Sequence, residues 1–325
     1  MNLGLTLSPS KVFPTGRVMK LAEAADGLGF SSVWFAESDQ ADAIGLMHAA
    51  AVTTKSASIA SGVIPIQTRP PALVAMGCAN LAQLAPGRIR LGIGHSSPNV
   101  VGRWCDRPFI QENAVAQVRE FVEAVSACLS GERVDFSGDW YQIKGFRLRV
   151  NGADDVDFVV AALGDGMAKA ATEFADGILM SYITPSRLAG LVPQLKELSG
   201  RSFGVSVMLH VAITDSPAKS IDAYKRVLVS YSTVDAYAAV FGEAGFESQV
   251  EAVRRLWGEG DRSGALDAID EEMVGELTAI GSADHVKSRI TSLVEAGADE
   301  VVIGIVEGEG TQSAEETIAA LAPSP

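Results

Sequence analysis

Short apolar runs alternate with segments of helical spacing along most of the chain. Residues 2–8 form the first such run, and the apolar residues from Val18 to Leu28 recur every three or four positions, as on one face of a helix. This pattern predicts a first strand at 2–8 and a following helix that Thr15 caps and Gly29 ends. The same alternation predicts seven further strands, at 32–36, 57–64, 88–94, 157–161, 177–180, 203–212 and 299–306.

Helical patterns fill the intervals between these strands. They are predicted at 42–54, 70–85, 110–129, 166–174 and 283–296, with further helices beginning at Pro185, at Pro217 and after Ser313. A serine or threonine followed by proline is typical of a helix start, and Ser313 with Glu316 predicts a capping box. The segment 131–150 predicts a surface hairpin with its turn near 137–139, and 218–275 predicts a charged, helical insertion.

The alternation of strands and helices determines the expected fold class. Apolar strands without a polar face are typical of a parallel sheet that helices cover. Eight such units favour an α/β fold of the (β/α)8 type, a TIM barrel with insertions, over a doubly wound sheet, because no Gly-x-Gly-x-x-Gly fingerprint follows the first strand. No linker divides the chain, so we expect one barrel domain over residues 1–325 with the helical insertion at about 215–275.

Composition narrows the classes of function. The formal net charge of −14 argues against nucleic acid or an anionic membrane surface as a partner, because both attract basic patches. With 47% hydrophobic residues the chain can bury a large core, yet no apolar run approaches the roughly 18 residues of a membrane span. The three cysteines and four histidines lack metal-ligand spacing, so we predict no metal site. We expect a cytoplasmic protein.

In a barrel of this kind, ligands bind where the strands end and the following loops begin. That rule selects a mouth formed by residues at six strand ends: Ser8, Glu37, Val63, His95, Gly164 and Ser181. His95 has a side chain that exchanges a proton near neutral pH, and the alternative is a histidine that only hydrogen-bonds its own loop. Glu37 is a candidate base or orienting group, with an ion pair at the barrel rim as the alternative.

The turn at 163–167 is a candidate phosphate site. It follows the fifth predicted strand and opens a helix, and its two glycines, Gly164 and Gly166, let backbone N–H groups approach an anion at the positive end of that helix. The alternative is that these glycines serve only the geometry of a strand-to-helix turn.

Several sequence blocks resemble those of a known family. Residues 58–94 combine a strand ending in Gly62-Val63, the sequence Thr-Arg-Pro-Pro at 68–71 before a helix, and Pro-Gly-Arg at 86–88 before a second strand. Further matching blocks lie at 33–37, 162–177 and 296–302. Together these blocks resemble the bacterial luciferase-like superfamily, most of all the branch that uses the deazaflavin coenzyme F420 and includes methylenetetrahydromethanopterin reductase.

The resemblance implies a cofactor site as well as a fold. In the family, strand three has a bulge with a non-proline cis peptide bond behind the tricyclic ring, which would fall at Gly62-Val63 here. The phosphate would contact the backbone of Gly164, Asp165, Gly166 and Met167, with Asp165 standing where many relatives have proline. The implied cofactor-binding set also includes Ser38, His95, Ser181 and Tyr182.

Two positions depart from the better-known members of that branch. His95 aligns with the catalytic glutamate of its sugar-phosphate dehydrogenases, and Ser38 takes the place of a common histidine beside the ring. The acid–base set therefore differs from theirs, and their substrate is not implied for this chain. The resemblance also implies a homodimer.

The residues and the resemblance together predict an enzyme. We expect an F420-dependent oxidoreductase that transfers a hydride between C5 of the deazaflavin and a small organic substrate. His95 would donate or accept the proton, while Glu37 and Ser38 would orient groups near the ring. One alternative is a luciferase-like monooxygenase that uses reduced FMN. The other is a non-catalytic, flavin-binding relative or ligand carrier.

Overall fold

In the described part of the chain, eight parallel strands close into a barrel with helices between them. The computed structural model describes residues 1–105, 109–150 and 155–323. The strands are β1 (Asn2–Leu7), β2 (Ser32–Phe35), β3 (Ser58–Ser61), β4 (Ile64–Pro65), β5 (Ile89–Gly94), β6 (Val134–Ser137), β7 (Gln142–Phe146), β8 (Val156–Ala161), β9 (Gly177–Ser181), β10 (Gly204–Ile213), β11 (Ala279–Gly281) and β12 (Glu300–Ile305). The order around the barrel is β1, β2, β3, β5, β8, β9, β10 and β12, and β12 pairs with β1.

The helices cover the outside of this barrel. They are α1 (Thr15–Gly27), α2 (Ala43–Thr53), α3 (Pro71–Leu84), α4 (Pro98–Trp104), α5 (Ala114–Leu129), α6 (Asp165–Ala171), α7 (Pro185–Ser199), α8 (Pro217–Ser232), α9 (Asp235–Phe241), α10 (Glu247–Glu259), α11 (Arg262–Asp267), α12 (Glu271–Leu277), α13 (Ala283–Glu295) and α14 (Ala314–Leu321), with a π-helical turn at Gly242–Phe246. The predicted (β/α)8 barrel is confirmed. Helices α8 to α12 fill the interval between β10 and β11, where the sequence predicts the insertion. Within the described ranges, no helix is both long and apolar enough to cross a bilayer.

The prediction that Thr15 caps the first helix is wrong. Pro14 is the N-cap, with backbone angles φ −58° and ψ 150°, and Thr15 is already the first helical residue. The proline ring fixes φ near the value that the helix entry needs, so the helix begins one residue earlier than predicted, at Thr15 itself. The predicted start of α7 is confirmed, since Thr184 Oγ1 accepts the Arg187 N–H at 3.4 Å. The capping box before α14 is also present.

Two details near the middle of the chain differ from the sequence prediction. The helix predicted at 110–129 begins only at Ala114, because Asn113 has a left-handed φ of 61° that no right-handed helix can include. The short helix α4 was not predicted. The predicted hairpin is confirmed as the antiparallel pair β6 and β7.

A buried carboxylate from α5 fixes the turn of this hairpin. Glu120 accepts the backbone N–H groups of Asp139, Trp140 and Tyr141 at 2.9, 2.8 and 2.7 Å. The hairpin forms a sheet of its own, and this side chain of the preceding helix holds its turn to the rest of the protein.

The barrel strands direct alternate side chains toward the helices and toward the interior. Outward residues such as Leu5, Val33 and Ile303 belong to the main apolar core. Inward residues pack on one another as a second apolar cluster, formed by Trp34, Ala60, Val159, Leu179 and Val302. This inner cluster fills the barrel between its two ends.

A polar network closes the interior at the amino ends of the strands. The side chain of Glu300, 4% exposed, accepts a hydrogen bond from Arg90 Nη1 at 2.9 Å. Its oxygens also accept the hydroxyls of Ser31, Ser32 and Ser206 at 2.6, 2.7 and 3.1 Å. Because β12 and β5 lie on opposite sides of the barrel, the ion pair joins strands that no ladder connects. Each carboxylate oxygen accepts two hydrogen bonds, and these offset the cost of burying the charge.

Replacing Glu300 by alanine should lower the free energy of unfolding by about 3 kcal/mol, because the change leaves a partly buried guanidinium and three hydroxyls without their acceptor. Urea unfolding followed by circular dichroism measures this loss. The matched control is Glu259→Ala, which removes an exposed pair with Arg255 on α10. It should change the free energy by less than about 0.5 kcal/mol. Equal losses in the two variants would contradict a special role for the buried network.

Candidate active site

The six residues predicted to form the mouth all lie at the carboxyl ends of barrel strands. Ser8 follows β1, Glu37 follows β2, Val63 lies between β3 and β4, His95 follows β5, Gly164 follows β8 and Ser181 ends β9. Parallel strands place these ends on one side of the barrel. The predicted placement is therefore confirmed, while the roles of the individual side chains stay predictions.

Solvent reaches the barrel interior at this end. The inward-facing residues Thr6, Ala161, Ser181 and His210 are partly exposed. Their outward-facing neighbours along the same strands, among them Leu5, Val160, Met180 and Leu209, are buried under the helices. The inner apolar cluster thus forms the floor of an open mouth.

Strand three carries a bulge on one wall of the mouth. Ala60 pairs with Arg90, and the next pair joins Ile64 to Ile93, so four steps on one strand face three on its neighbour. The extra residue falls at Gly62-Val63, where the peptide bond is cis. The bulge and the cis bond that the resemblance implies are confirmed at this position.

The side chain of Ser61 repairs the ladder beside the bulge. Its Oγ donates to the carbonyl of Gly92 at 2.9 Å and accepts the Gly92 N–H at 2.8 Å. A Cβ at Gly92 would lie 1.8 Å from the carbonyl oxygen of Ser61, so any larger residue would force the two strands apart. Only glycine fits at position 92, because the two strands approach each other so closely there.

Trp34 supports the bulge from below. A Cβ placed on Gly62 would lie 3.3 Å from Cε3 of the indole. The indole Nε1–H donates to Ser32 Oγ at 2.6 Å, and that hydroxyl in turn donates to Glu300 at 2.7 Å. The polar network at the bottom of the barrel therefore orients the ring on which the wall of the mouth rests.

His95 lies at the rim with one ring nitrogen fixed. Its Nε2 is 3.1 Å from the carbonyl oxygen of Ile110, and its ring is 5.1 Å from that of Phe109. A carbonyl only accepts hydrogen bonds, so Nε2 carries the proton and Nδ1 is the atom that can accept one. Burial lowers the pKa of His95 below its ordinary value of 6.5, although contacts with Ile110, Gln117 and Ser96 act in the opposite direction. The imidazole is therefore neutral at pH 7.

Glu37 is engaged in an ion pair at the rim. Its two carboxylate oxygens accept Nε and Nη2 of Arg69 at 2.8 and 3.1 Å, and Oε2 also accepts the Ala43 N–H at the start of α2 at 2.8 Å. Arg69 extends the cluster to Asp42 at 2.6 Å. These contacts are those of the rim ion pair, the alternative weighed for this residue. A catalytic role for Glu37 stays a prediction, and it would require the pair to open.

Ser38 is held in a tight turn beside Glu37. Its backbone exchanges two hydrogen bonds of 3.1 Å with Ala41, and its hydroxyl accepts the Gln40 N–H at 3.2 Å. The structure thus places Ser38 at the rim, as predicted, with a fixed backbone.

The predicted phosphate turn begins helix α6, with Gly164 as its N-cap. A Cβ on Gly164 or Gly166 would meet no atom within 4 Å, so the backbone of this turn is open to approach. The carboxylate of Asp165 accepts Nη2 of Arg187 at 2.7 Å, and Arg187 also pairs with Glu243 of the π-helical turn. The acidic side chain is therefore compensated by an arginine of the next helix.

Two buried polar groups near the mouth have no partner among the described residues. They are the side-chain amide of Gln67, which follows β4, and Nη1 of Arg187 at the start of α7. Unsatisfied buried groups are costly, and at functional sites they often mark where a ligand binds. Sequence reasoning missed both residues, because nothing in the local pattern reports a missing tertiary partner.

His210 is a further residue that sequence reasoning missed. It lies on β10 in register with Gly304 of β12, which in turn pairs with Thr6 of β1. The Tyr182 ring stacks on it, with centroids 5.6 Å apart and an interplanar angle of 17°. The signal was present in the sequence: Ser206 and His210 share one face of the predicted strand. With Ser206 in the polar network, His210 must point into the barrel as well.

A family model described as luciferase-like monooxygenase matches residues 3–300. The chain belongs to this family. A 5,10-methylenetetrahydromethanopterin reductase of Methanopyrus kandleri is 26% identical over 98% of this chain and 96% of its own length. A Mycobacterium tuberculosis protein described as a coenzyme F420-dependent oxidoreductase is 26% identical over 93% of this chain and 94% of its own.

Solved structures share the fold. The coenzyme F420-dependent tetrahydromethanopterin reductase of Methanopyrus kandleri has a TM-score of 0.79, at 24% identity and with 99% of this chain and 97% of that chain covered. A 3,6-diketocamphane monooxygenase component of Pseudomonas putida in complex with FMN has a TM-score of 0.70, at 18% identity and with 99% and 97% covered. The barrel therefore resembles members that use either cofactor.

Proposed function

We propose that this protein is an F420-dependent oxidoreductase that transfers a hydride between the deazaflavin and a small organic substrate. The observation that carries the proposal is that two relatives aligned over 98% and 93% of the chain are an F420-branch reductase and a protein described as F420-dependent. The bulge at Gly62-Val63 and the imidazole of His95 at the same rim support it.

The residues at the mouth fit such a cofactor. Gly62 and Val63 would form the wall behind the ring, and the unpartnered amide of Gln67 lies beyond the same strand end. The open backbone at 164–167 would hold the phosphate, with the unpartnered Nη1 of Arg187 nearby in the same cluster as Asp165. When bound, F420 supplies the hydride-exchanging carbon of the reaction.

His95 supplies the proton-exchanging group. The bond from Nε2 to the Ile110 carbonyl fixes the tautomer, which leaves Nδ1 with the lone pair. Burial keeps the ring neutral at pH 7, so in the direction in which the substrate is oxidised Nδ1 accepts the substrate proton. In the opposite direction the same atom returns it.

F420 should bind at least about tenfold more tightly than FMN, which corresponds to about 1.4 kcal/mol or more. Titration of the purified protein with each cofactor, followed by calorimetry, measures the two dissociation constants. Equal affinities, or tighter FMN, would move the function to the reduced-FMN monooxygenase alternative. Binding without turnover of either reduced cofactor would favour the non-catalytic relative.

Substitution of His95 by glutamine or by alanine should lower kcat by roughly 10²–10⁴-fold, because neither residue can accept the proton. In the wild type, kcat/KM for substrate oxidation should fall on acidification with a midpoint below the 6.5 of an ordinary histidine, because burial lowers the pKa of His95 and the protonated ring is no longer a base. Both variants should lose that pH dependence and keep their cofactor affinity.

The control is His285→Gln, which makes the same chemical change at an exposed residue of α13. Its kcat should equal that of the wild type. Retention of more than about a third of kcat in both His95 variants would assign the proton transfer to another group, because the barrier would then change by well under 1 kcal/mol.

We also propose that the protein is a homodimer. Leu73, Met76 and Leu84 are 46%, 41% and 47% exposed along one face of α3, and Val52 of the adjacent α2 is 68% exposed. Large apolar side chains grouped in this way are typical of a surface that a partner covers. A second copy of the chain is the occupant that the family resemblance implies.

Light scattering should give twice the chain mass of 34.0 kDa for the wild type. Met76→Glu should give a monomer, because a buried carboxylate would be unpaired in the interface. Leu198→Glu on α7, at a site 57% exposed and outside this patch, should stay dimeric. A monomeric wild type would refute the dimer.

We also propose that the protein binds no nucleic acid and that it is cytoplasmic. A net charge of −14 supports a protein that does not bind nucleic acid. Cys78 and Cys128 are buried without a disulfide, which is typical of a reducing compartment and supports the cytoplasm.

A further inference from the structure

The imidazole of His210 lies inside the barrel mouth, opposite the bulged strand. In the closed order of eight strands, β10 is four positions away from β3, so the two strands face each other across the barrel. A ring against Gly62-Val63 would therefore turn its free face toward His210. A Cβ on Gly304 would lie 3.2 Å from Cδ2 and 3.5 Å from Nε2 of His210, so the missing side chain of the glycine makes the room in which the imidazole lies inside the barrel.

Two tyrosine rings pack against the imidazole. Tyr182 stacks on one face at 5.6 Å, and the Tyr224 ring lies at 5.5 Å with an angle of 51°. The two tyrosine hydroxyls are 3.0 Å apart and hydrogen-bond each other. Tyr231 and Phe241 pack behind Tyr182 at 5.6 and 5.3 Å. The side chains that contact His210 through their rings are thus uncharged.

The ring nitrogens of His210 have no hydrogen-bond partner among the described residues, and the residue is partly exposed. Burial lowers the pKa of His210 to about 4, so the ring is neutral at pH 7. A neutral imidazole offers one N–H donor and one acceptor, in either tautomer. Its surroundings oppose a charged ligand, because a charge without a partner is costly in an apolar setting.

We propose that His210 is a substrate-binding residue that hydrogen-bonds the carbonyl or hydroxyl group of an uncharged organic substrate. The substrate would lie between His210 and the cofactor, while Tyr182, buried behind the imidazole, holds that ring in place. This assignment rests on the proposed function, because only an oxidoreductase would have such a substrate. It predicts that the group that reacts is uncharged, and that carboxylates and phosphates bind poorly at this position.

The test uses the F420-loaded protein and two matched probes, acetophenone and benzoate, which differ chiefly in charge. Acetophenone should shift the ring-nitrogen resonances of His210 in ¹H–¹⁵N spectra, assigned with His210→Phe. Benzoate should bind at least about tenfold more weakly than acetophenone. His210→Phe should weaken acetophenone binding by up to about tenfold while leaving F420 affinity unchanged, and His210→Gln should restore most of the loss. His285→Gln is the control and should bind acetophenone as the wild type does.

Three outcomes would overturn the assignment. They are benzoate binding as tightly as acetophenone, His210 resonances that do not move, and wild-type acetophenone affinity in His210→Phe. A loss of F420 affinity in His210→Phe would instead make the residue part of the cofactor site and would also refute the proposal. If F420 fails to bind at all, the proposed function fails, and the same titrations on the protein without cofactor still decide whether His210 binds a neutral carbonyl.

Discussion

The buried carboxylate of Glu300 is the interaction on which the geometry of the mouth depends. It lies at the end of the barrel away from the mouth, yet it holds Arg90 from the opposite strand and, through Ser32, the indole N–H of Trp34. The Trp34 ring lies directly under Gly62, at the wall where the cofactor would bind. An ion pair in the interior costs desolvation and gives little net stability on its own. Its effect here is to fix one orientation of a large ring that apolar packing alone would position less specifically.

Charge at the mouth is confined to the rim. Arg69 binds the carboxylates of Glu37 and Asp42, and Arg187 binds those of Asp165 and Glu243. Each cluster ties neighbouring elements together, so the loops around the mouth are held by ion pairs that are partly shielded from water. Between this rim and the Glu300 network, the described inward-facing residues include the apolar cluster of Trp34, Ala60, Val159, Leu179 and Val302, with the imidazole of His210 above it.

The barrel fold and the residues at its rim could be predicted from the sequence, because the alternation of apolar runs and helical segments shows where each strand ends. It also located the bulge at Gly62-Val63, through the resemblance of the surrounding block. It could not give the partners of Glu37 or Asp165, since Arg69 and Arg187 are 32 and 22 residues away and no local pattern pairs them. His210 stood within reach of sequence reasoning, because it follows Met208 by two residues and Ser206 by four and so shares their face of the strand. Its stack with Tyr182 and its close approach to Gly304 are tertiary contacts that the sequence alone does not give.

The two histidines of the mouth differ in one respect that separates their roles. Burial lowers the pKa of both, so both are neutral at pH 7. The carbonyl of Ile110 fixes the proton of His95 on Nε2, which leaves Nδ1 as a permanent acceptor and suits a group that takes up a proton. No described residue fixes the tautomer of His210. A ring that can present either a donor or an acceptor at the same edge can hydrogen-bond a carbonyl before hydride transfer and a hydroxyl after it. Hydride transfer interconverts these two groups, so a residue without a fixed tautomer can bind substrate and product with the same geometry.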